Sequence, residues 1–118
     1  MQDFRKLRTW QLALQFELDV YRATREFPAE ERYILTSQSR RSAKSIGANI
    51  AEACGYLGNR DSGRFFQISL GSASESLHHL IVSDKLAFLD RTRFDKLSAD
   101  LGPIRGGLIS LIRCARGS

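Results

Sequence analysis

An all-α fold, an antiparallel up-and-down four-helix bundle, is predicted by three observations. Apolar residues recur at steps of three and four along nearly the whole chain, the periodic segments are separated by short breaks rich in Gly, Pro, Asn and Asp, and no strand signal of comparable strength occurs. The breaks at 28–29, 55–59 and 86–90 are short enough to force successive helices to run antiparallel. A chain of 118 residues supports one core, so residues 1–118 are expected to form a single bundle domain.

The first helix is expected from Asp3, a good N-cap, to Phe27, with Phe4, Leu7, Trp10, Leu14, Leu18 and Tyr21 on one face and Arg5, Arg8, Gln11, Gln15, Asp19 and Arg22 on the other. Pro28 ends it. Proline also suits a first helical turn and Glu30 and Glu31 suit the positive end of a helix dipole, so the second helix starts near residue 29 and runs to about Cys54. Gly55 and Gly58, with Asn59 as cap, open the third helix, Arg60 to about Lys85. The fourth follows Asp90. Its residues Phe94, Leu97, Leu101, Ile104, Leu108 and Leu111 alternate steps of three and four, the seam of a helix packed along its neighbours. Pro103 removes a backbone donor and crowds the Ala99 carbonyl, which predicts a kink or short break near residues 99–103.

The composition, 42% hydrophobic and 26% charged, is that of a globular protein, neither disordered nor fibrous. The opening MQDFRKLRTW is charged where a secretory signal would be apolar, and no apolar run approaches the ~20 residues that span a bilayer. A cytoplasmic location without membrane contact is the expectation. Cys54 and Cys114 lack metal-type spacing and are expected to be small buried hydrophobes. A net charge of +5 permits contact with nucleic acid or an anionic surface without demanding it.

Two stripes of short polar residues set this chain apart. Gln38, Ser42, Ser45, Asn49 and Glu52 line one side of the second helix, and Ser69, Ser72, Glu75 and His79 line the third. Short side chains allow close helix approach, and buried polar groups need partners, so such stripes fix one register and one partner. They admit two readings: contacts between helices two and three or across subunits, or a ligand or nucleic-acid groove. If the two helices fold back about Leu57, Ser45 lies beside Ser69, Ser42 beside Ser72, Glu52 near Arg64 and Arg41 near Glu75. Arg41 is the cation expected to satisfy a buried Glu75 carboxylate.

The run from Leu7 to Leu89, in particular LRTWQLAL, the FP near residue 27, QSRRSAKSIGANIAEACG and RFFQISLGSASES, resembles the four-helix-bundle proteins encoded in intervening sequences of bacterial 23S ribosomal RNA genes. The accessory variability protein of diversity-generating retroelements is a related bundle. The most specific part of the resemblance is Ser45-Ile46, Asn49-Ile50-Ala51-Glu52 and Gly71-Ser72 with Glu75. It implies a ring-like homopentamer with no known enzymatic activity and a role with nucleic acid or a nucleic-acid enzyme. Two departures stand out: Ala53 where a glycine usually follows the glutamate, and Gly102-Pro103 inside the fourth helix.

No catalytic constellation is predicted. Di-metal bundles need a Glu-x-x-His from each of two helices, and this chain has one, Glu75-x-x-His78, with its only other histidine, His79, immediately adjacent. The serines lack a nucleophile elbow, and Gly-rich phosphate motifs are absent. No cofactor and no metal are therefore expected. Trp10, Phe65 and Phe66 are assigned to the core, and Tyr56, in the loop near Arg60, is the one aromatic considered for base stacking.

Antiparallel topology gathers Arg5, Lys6, Arg8, Arg60, Arg64, Arg113 and Arg116 at one end against Asp3, Glu52 and Asp61, a net +4. The opposite end sets Arg22, Arg25, Arg32, Lys85, Arg91 and Arg93 against Glu26, Glu30, Glu31, Asp84 and Asp90, a net +1. Cations at the starts of helices one and three oppose the helix dipole, so local stability does not explain them. The seven basic residues are the candidate contact to RNA or DNA, the alternative being a solvated rim. The candidate subunit interface is Gln38, Arg41, Ser42, Ser45, Asn49, Glu52, Ser69, Ser72 and Glu75. The leading expectation is a non-enzymatic oligomeric bundle that binds nucleic acid or a nucleoprotein partner, and the rival is a structural oligomeric scaffold for proteins.

Overall fold

A computed structural model describes residues 2–117. Among the described residues four helices, α1 (Arg8–Thr24), α2 (Ser37–Cys54), α3 (Asn59–Lys85) and α4 (Arg91–Ala115), pack side by side in a body of 44 × 24 × 20 Å, with no strand. Contacts run chiefly around the perimeter, α1 on α2, α2 on α3, α3 on α4 and α4 back on α1. This is the four-helix bundle that the sequence predicts.

The helix ends depart from expectation where local chemistry intervenes. Asp3 does cap a helical turn, accepting from the Arg5 N–H at 3.1 Å, but that turn is a short 3-10 helix (Phe4–Lys6). Leu7 is extended, and α1 begins after it. α1 stops at Thr24, and the chain reaches Pro28 through bonds from Phe27 N–H to the Thr24 carbonyl and from Glu26 N–H to the Ala23 carbonyl. The expected start near residue 29 holds as a 3-10 turn (Ala29–Glu31) followed by a π turn (Arg32–Thr36), with regular α2 beginning only at Ser37. Asp90 caps α4, accepting from Arg93 N–H at 2.7 Å. Between α3 and α4, Ala87 adopts φ 62°, and the bonds Phe88 N–H to Ser83 carbonyl and Ala87 N–H to Asp84 carbonyl form a Schellman motif in which alanine occupies the usual glycine position.

α4 runs through Gly102-Pro103 without the expected break. Leu101 and Ile104 on either side are buried at 1% and 0% exposure, while Gly102 and Pro103 face solvent. Packing therefore pins both flanks, and the unbonded carbonyl that proline leaves behind lies on the outer side at exposed Ala99. The seam is otherwise as expected, with Leu97, Leu101, Ile104 and Leu108 fully buried and Phe94 and Leu111 packed at its edges.

The expected face of α1 is corrected. Its buried residues are Ala13, Phe16, Val20, Ala23 and Thr24, whereas Leu14 and Leu18 are 38% and 41% exposed. α1 packs on both α2 and α4, so its buried arc is set by the positions between those neighbours, with Phe16 filling the core and small residues at the closest approaches. A Cβ placed on Gly47 of α2 would stand 3.7 Å from the Ala13 Cβ and 3.6 Å from Trp10 Nε1. On the α4 side the approach is closer still: a Cβ on Gly107 would overlap Thr9 Oγ1 and lie 3.1 Å from its Cγ2. Trp10 is half-buried and meets Phe4 edge to face at 5.0 Å. Cys54 is buried as expected, and burial pushes its thiol pKa up, but Cys114 is exposed on the last turn of α4.

The α2–α3 seam is a ladder of hydroxyl contacts. Ser69 Oγ donates to the Ile46 carbonyl at 2.7 Å, Ser72 Oγ to Ser45 Oγ at 2.8 Å and Ser76 Oγ to Ser42 Oγ at 3.0 Å. Ser45 and Ser42 thus face residues one helical turn further along α3 than the expected Ser69 and Ser72. Both pairs are centred near Gly58 and Asn59, so the fold-back comes later in the chain than Leu57. Ser42 and Ser69 are fully buried, so these hydroxyls are satisfied within one chain.

Candidate nucleic-acid interface

The start of α1, the end of α2, the start of α3 and the end of α4 meet at one end of the bundle. Gln2 N–H bonds the Cys54 carbonyl at 3.3 Å, and the Gly63 position lies 3.4 Å from the Ala115 Cβ. α3 begins here because Gly58 is extended and leaves the first-turn N–H groups without a side-chain cap. Arg60 and Arg64 then project one turn apart from the start of α3, and Arg116 follows the last turn of α4. Together with Asn59, Asp61, Gln67 and Ile68 they line an open groove of about 1130 Å³.

The seven basic candidates are all exposed but do not form one patch. Arg60, Arg64 and Arg116 share the groove. Arg5 borders a separate depression with Phe4, Ala51 and Gly55, and Lys6 and Arg8 line neither. Arg113 is exposed in the last turn of α4. Arg5 is held by Asp3 through two bonds, Nε to Oδ1 at 2.9 Å and Nη2 to Oδ2 at 3.0 Å. That side-chain pairing, and then the Arg5 N–H, lower the Asp3 pKa. Among the described residues Lys6, Arg8, Arg60, Arg64 and Arg116 make no ion pair.

Aromatic faces at this end are already engaged. Tyr56 stacks on Phe65 with centroids 5.2 Å apart and planes within 11°, and the Arg64 guanidinium lies 4.6 Å from the Phe65 centroid. Phe65 and Trp10 are half-buried rather than fully in the core, while Phe66 is buried. Arg64 thus rests on a ring, and among the described residues it makes no ion pair with Glu52, the acid expected near it.

Along the outer edge of the α2–α3 seam, Arg41 Nη2 donates to Glu75 Oε2 at 3.0 Å and to Gln38 Oε1 at 2.8 Å. The expected Arg41–Glu75 contact forms, but the Glu75 side chain is 39% exposed, so the burial assumed for it is corrected. The same carboxylate oxygen lies 3.1 Å from His79 Nε2, and His78 of the Glu-x-x-His motif is exposed. Among the described residues no three of His, Cys, Asp and Glu cluster as a metal would need. Asn49 turns back to Ser45, donating to its carbonyl and hydroxyl at 2.8 Å. Of the nine interface candidates, then, Ser42, Ser69 and Ser72 lie inside the chain and Gln38, Arg41 and Glu52 remain exposed, with Ser45, Asn49 and Glu75 half-buried at the edge.

Sequence reasoning passed over Ser76, which continues the small-residue spacing of Ser69 and Ser72. It also missed Arg40, whose Nε donates to Thr24 Oγ1 at 2.8 Å and whose guanidinium sits 4.7 Å from the Tyr21 centroid. No motif in the sequence announces that contact, because it depends on where α1 ends.

An up-and-down helical bundle with an internal serine seam and one basic end is the class of protein that these features define. The chain belongs to the 23S rRNA-intervening sequence protein family, which matches residues 5–110. A crystal structure of a protein of unknown function from the S23 ribosomal protein family of Bacteroides thetaiotaomicron is similar over 89% of this chain and 98% of its own, with a TM-score of 0.80 and 25% sequence identity. No curated protein matches the chain. No helix among the described residues is long and apolar enough to cross a membrane.

Proposed function

We propose that this protein is a non-enzymatic bundle of the cytoplasm that assembles with copies of itself, as a homopentamer, and meets the phosphate backbone of RNA or DNA with its basic end. The observation that carries the reading is the absence of carboxylate partners for Arg60, Arg64 and Arg116 around one groove, with Lys6 and Arg8 likewise unpaired at the same end among the described residues. Unpaired like charges repel and cost stability, and phosphates are the ligand that turns that cost into affinity. The aromatic rings there are stacked on one another and under Arg64, which favours sequence-blind phosphate contact over base stacking. A ring of copies would bring several such ends together, and a nucleic-acid enzyme is a partner consistent with that surface.

A second reading, a structural oligomer that presents a protein-binding surface, is favoured by exposed Leu14 and Leu18 on α1 and Ile68 on α3. The two readings separate in one experiment. The oligomeric mass is measured by light scattering with and without RNA, for the natural chain and for the Arg60→Glu/Arg64→Glu variant. A homo-oligomer that gains mass with RNA only in the natural chain supports the first reading. An oligomer that never takes up RNA supports the second, and a monomer at micromolar concentration refutes both.

A further inference from the structure

Diagonal to the serine seam, at the corner where α1 passes into α2, lies a small pocket of about 260 Å³ whose lining includes Thr24, Arg25, Pro28, Arg32, Thr36 and Arg40. Three arginines border it and no carboxylate does. Arg40 is fixed in place. Its Nε donates to Thr24 Oγ1 at 2.8 Å, one Nη2 hydrogen reaches the Tyr21 carbonyl at 3.4 Å, and the guanidinium plane rests against the Tyr21 ring. Two of its five N–H donors are thereby used and three remain. Arg25 and Arg32 are exposed, and neither side chain makes an ion pair or a hydrogen bond among the described residues. Glu26, the acid nearest in sequence to Arg25, is engaged by Arg93 of α4 instead.

The backbone around the pocket is irregular. The chain enters through Pro28, makes one 3-10 turn and then the π turn Arg32–Thr36, which sets Arg32 and the buried Thr36 on the pocket wall four residues apart. π turns are rare and recur at ligand sites, because regular helix would form there at lower cost. The end of α1 offsets part of the positive charge through its dipole, but a helix C-terminus carries about half an elementary charge against three full ones. Arginine stays charged at every physiological pH, so the charge cannot be relieved by deprotonation.

We propose that this pocket binds a phosphate dianion, free or as a terminal monoester, with preset Arg40 and exposed Arg25 and Arg32 closing on its oxygens. The planar guanidinium fork matches phosphate geometry, and Thr36 lies on the pocket wall, while the Thr24 hydroxyl, donating to the Val20 carbonyl and accepting from Arg40, serves to hold Arg40. The volume admits a phosphate group and excludes a folded nucleic acid, so this site is separate from the groove at the basic end. The ligand is either free phosphate or the phosphate of a nucleotide.

Calorimetric titration of the full chain with inorganic phosphate, with a nucleoside 5′-monophosphate and with the parent nucleoside tests the assignment. Saturable binding of phosphate and nucleotide but not of nucleoside is expected. Equal affinities name free phosphate as the source, and tighter nucleotide binding names the nucleotide. Arg25→Gln/Arg32→Gln should weaken both by about tenfold or more, because each arginine removed is a charge-assisted contact. Neither side chain supports the fold, so this variant should keep the natural helical circular dichroism. Arg60→Glu/Arg64→Glu should bind phosphate normally, which separates failure at this pocket from failure of the nucleic-acid reading. Absence of saturation at millimolar phosphate or nucleotide overturns the proposal. Undiminished binding in Arg25→Gln/Arg32→Gln overturns it as well, and leaves Arg40 as a cap of α1 alone.

Discussion

Where α1 finishes and α4 begins, Arg93 of α4 reaches Glu26, Lys96 bridges Asp19 at 3.3 Å and Asp100 at 2.7 Å, and Arg91 joins Asp84 at 3.1 Å. Where α1 begins and α4 finishes, the helices are instead held by the fit of Thr9 against Gly107, and the Arg5–Asp3 ion pair there is local, two residues apart. The first end engages Arg91, Arg93 and Lys96 in contacts between helices, whereas among the described residues Lys6, Arg8, Arg60, Arg64 and Arg116 at the second make no ion pair. The contact between α1 and α4 is thus secured by charge at one end and by packing at the other.

The largest effect that would break this contrast is on binding. Arg60→Glu/Arg64→Glu should lower affinity for RNA or duplex DNA by roughly a hundredfold or more at low salt, since two attractions become repulsions and released counterions are lost. Arg91→Glu/Arg93→Glu, at cations already paired with Asp84 and Glu26, should change affinity by less than about threefold, the residual long-range effect of net charge. Fluorescence anisotropy with one labelled RNA measures both, and equal losses would erase the distinction between the ends.

Glycine substitutions sharpen the packing side. Gly107→Ala should destabilise by about 1–3 kcal/mol in chemical denaturation, because the new methyl overlaps Thr9 Oγ1 at 2.2 Å and turning that hydroxyl away still leaves Thr9 Cβ tight at 3.2 Å. Gly106→Ala, one residue away with open space around it, should instead stabilise by up to about 1 kcal/mol through helix propensity. At the other end the sign for alanine inverts: Ala87→Gly should stabilise by roughly 0.5–1 kcal/mol, because φ 62° suits glycine.

Smaller still are the ion pairs. Asp19→Asn should cost under about 1 kcal/mol, and molar salt should remove the difference, since Lys96 is well exposed. The two ends should also respond to opposite extremes of pH. The Arg5 side chain, and next the Arg5 N–H, lower the Asp3 pKa, so the stability that this pair adds is present above the ordinary aspartate value of about 3.9 and is lost as pH falls through the lowered one. Hydrogen bonding to Asp100, with a further contribution from Asp19, raises the Lys96 pKa, so its contribution is present below the ordinary lysine value of about 10.4 and is lost as pH rises through the raised one. Thermal melts of Asp3→Asn should converge on the natural chain in acid, and those of Lys96→Met should converge in alkali. Convergence at the wrong extreme would contradict the pairing.

The helix count and the α4 seam were legible because a strict three-and-four period has one buried solution, and the Asp90 cap was legible because its signal is local. Three features were not. Leu14 and Leu18 outweigh Ala13 and Val20 in hydrophobicity, so the sequence points to a face that the positions of α2 and α4 leave outside. The serine register depends on where the fold-back is centred within the loop, which the loop's composition does not encode, and Ser45 faces Ser72, one turn beyond Ser69. At the candidate site the sequence located a basic end but not the groove within it, because charge counts ignore which cations share a wall and which, like Arg5, already have a partner.

The most direct test of the unpaired basic end is the salt dependence of RNA binding. The logarithm of affinity against the logarithm of salt concentration should be linear and steep for the natural chain, and its slope should shrink in magnitude by about 1 for each of Arg60→Gln, Arg64→Gln and Arg116→Gln, while Arg93→Gln leaves it unchanged. A slope near zero, or one that Arg93→Gln lowers as much as Arg64→Gln does, would contradict the claim that this end meets phosphates.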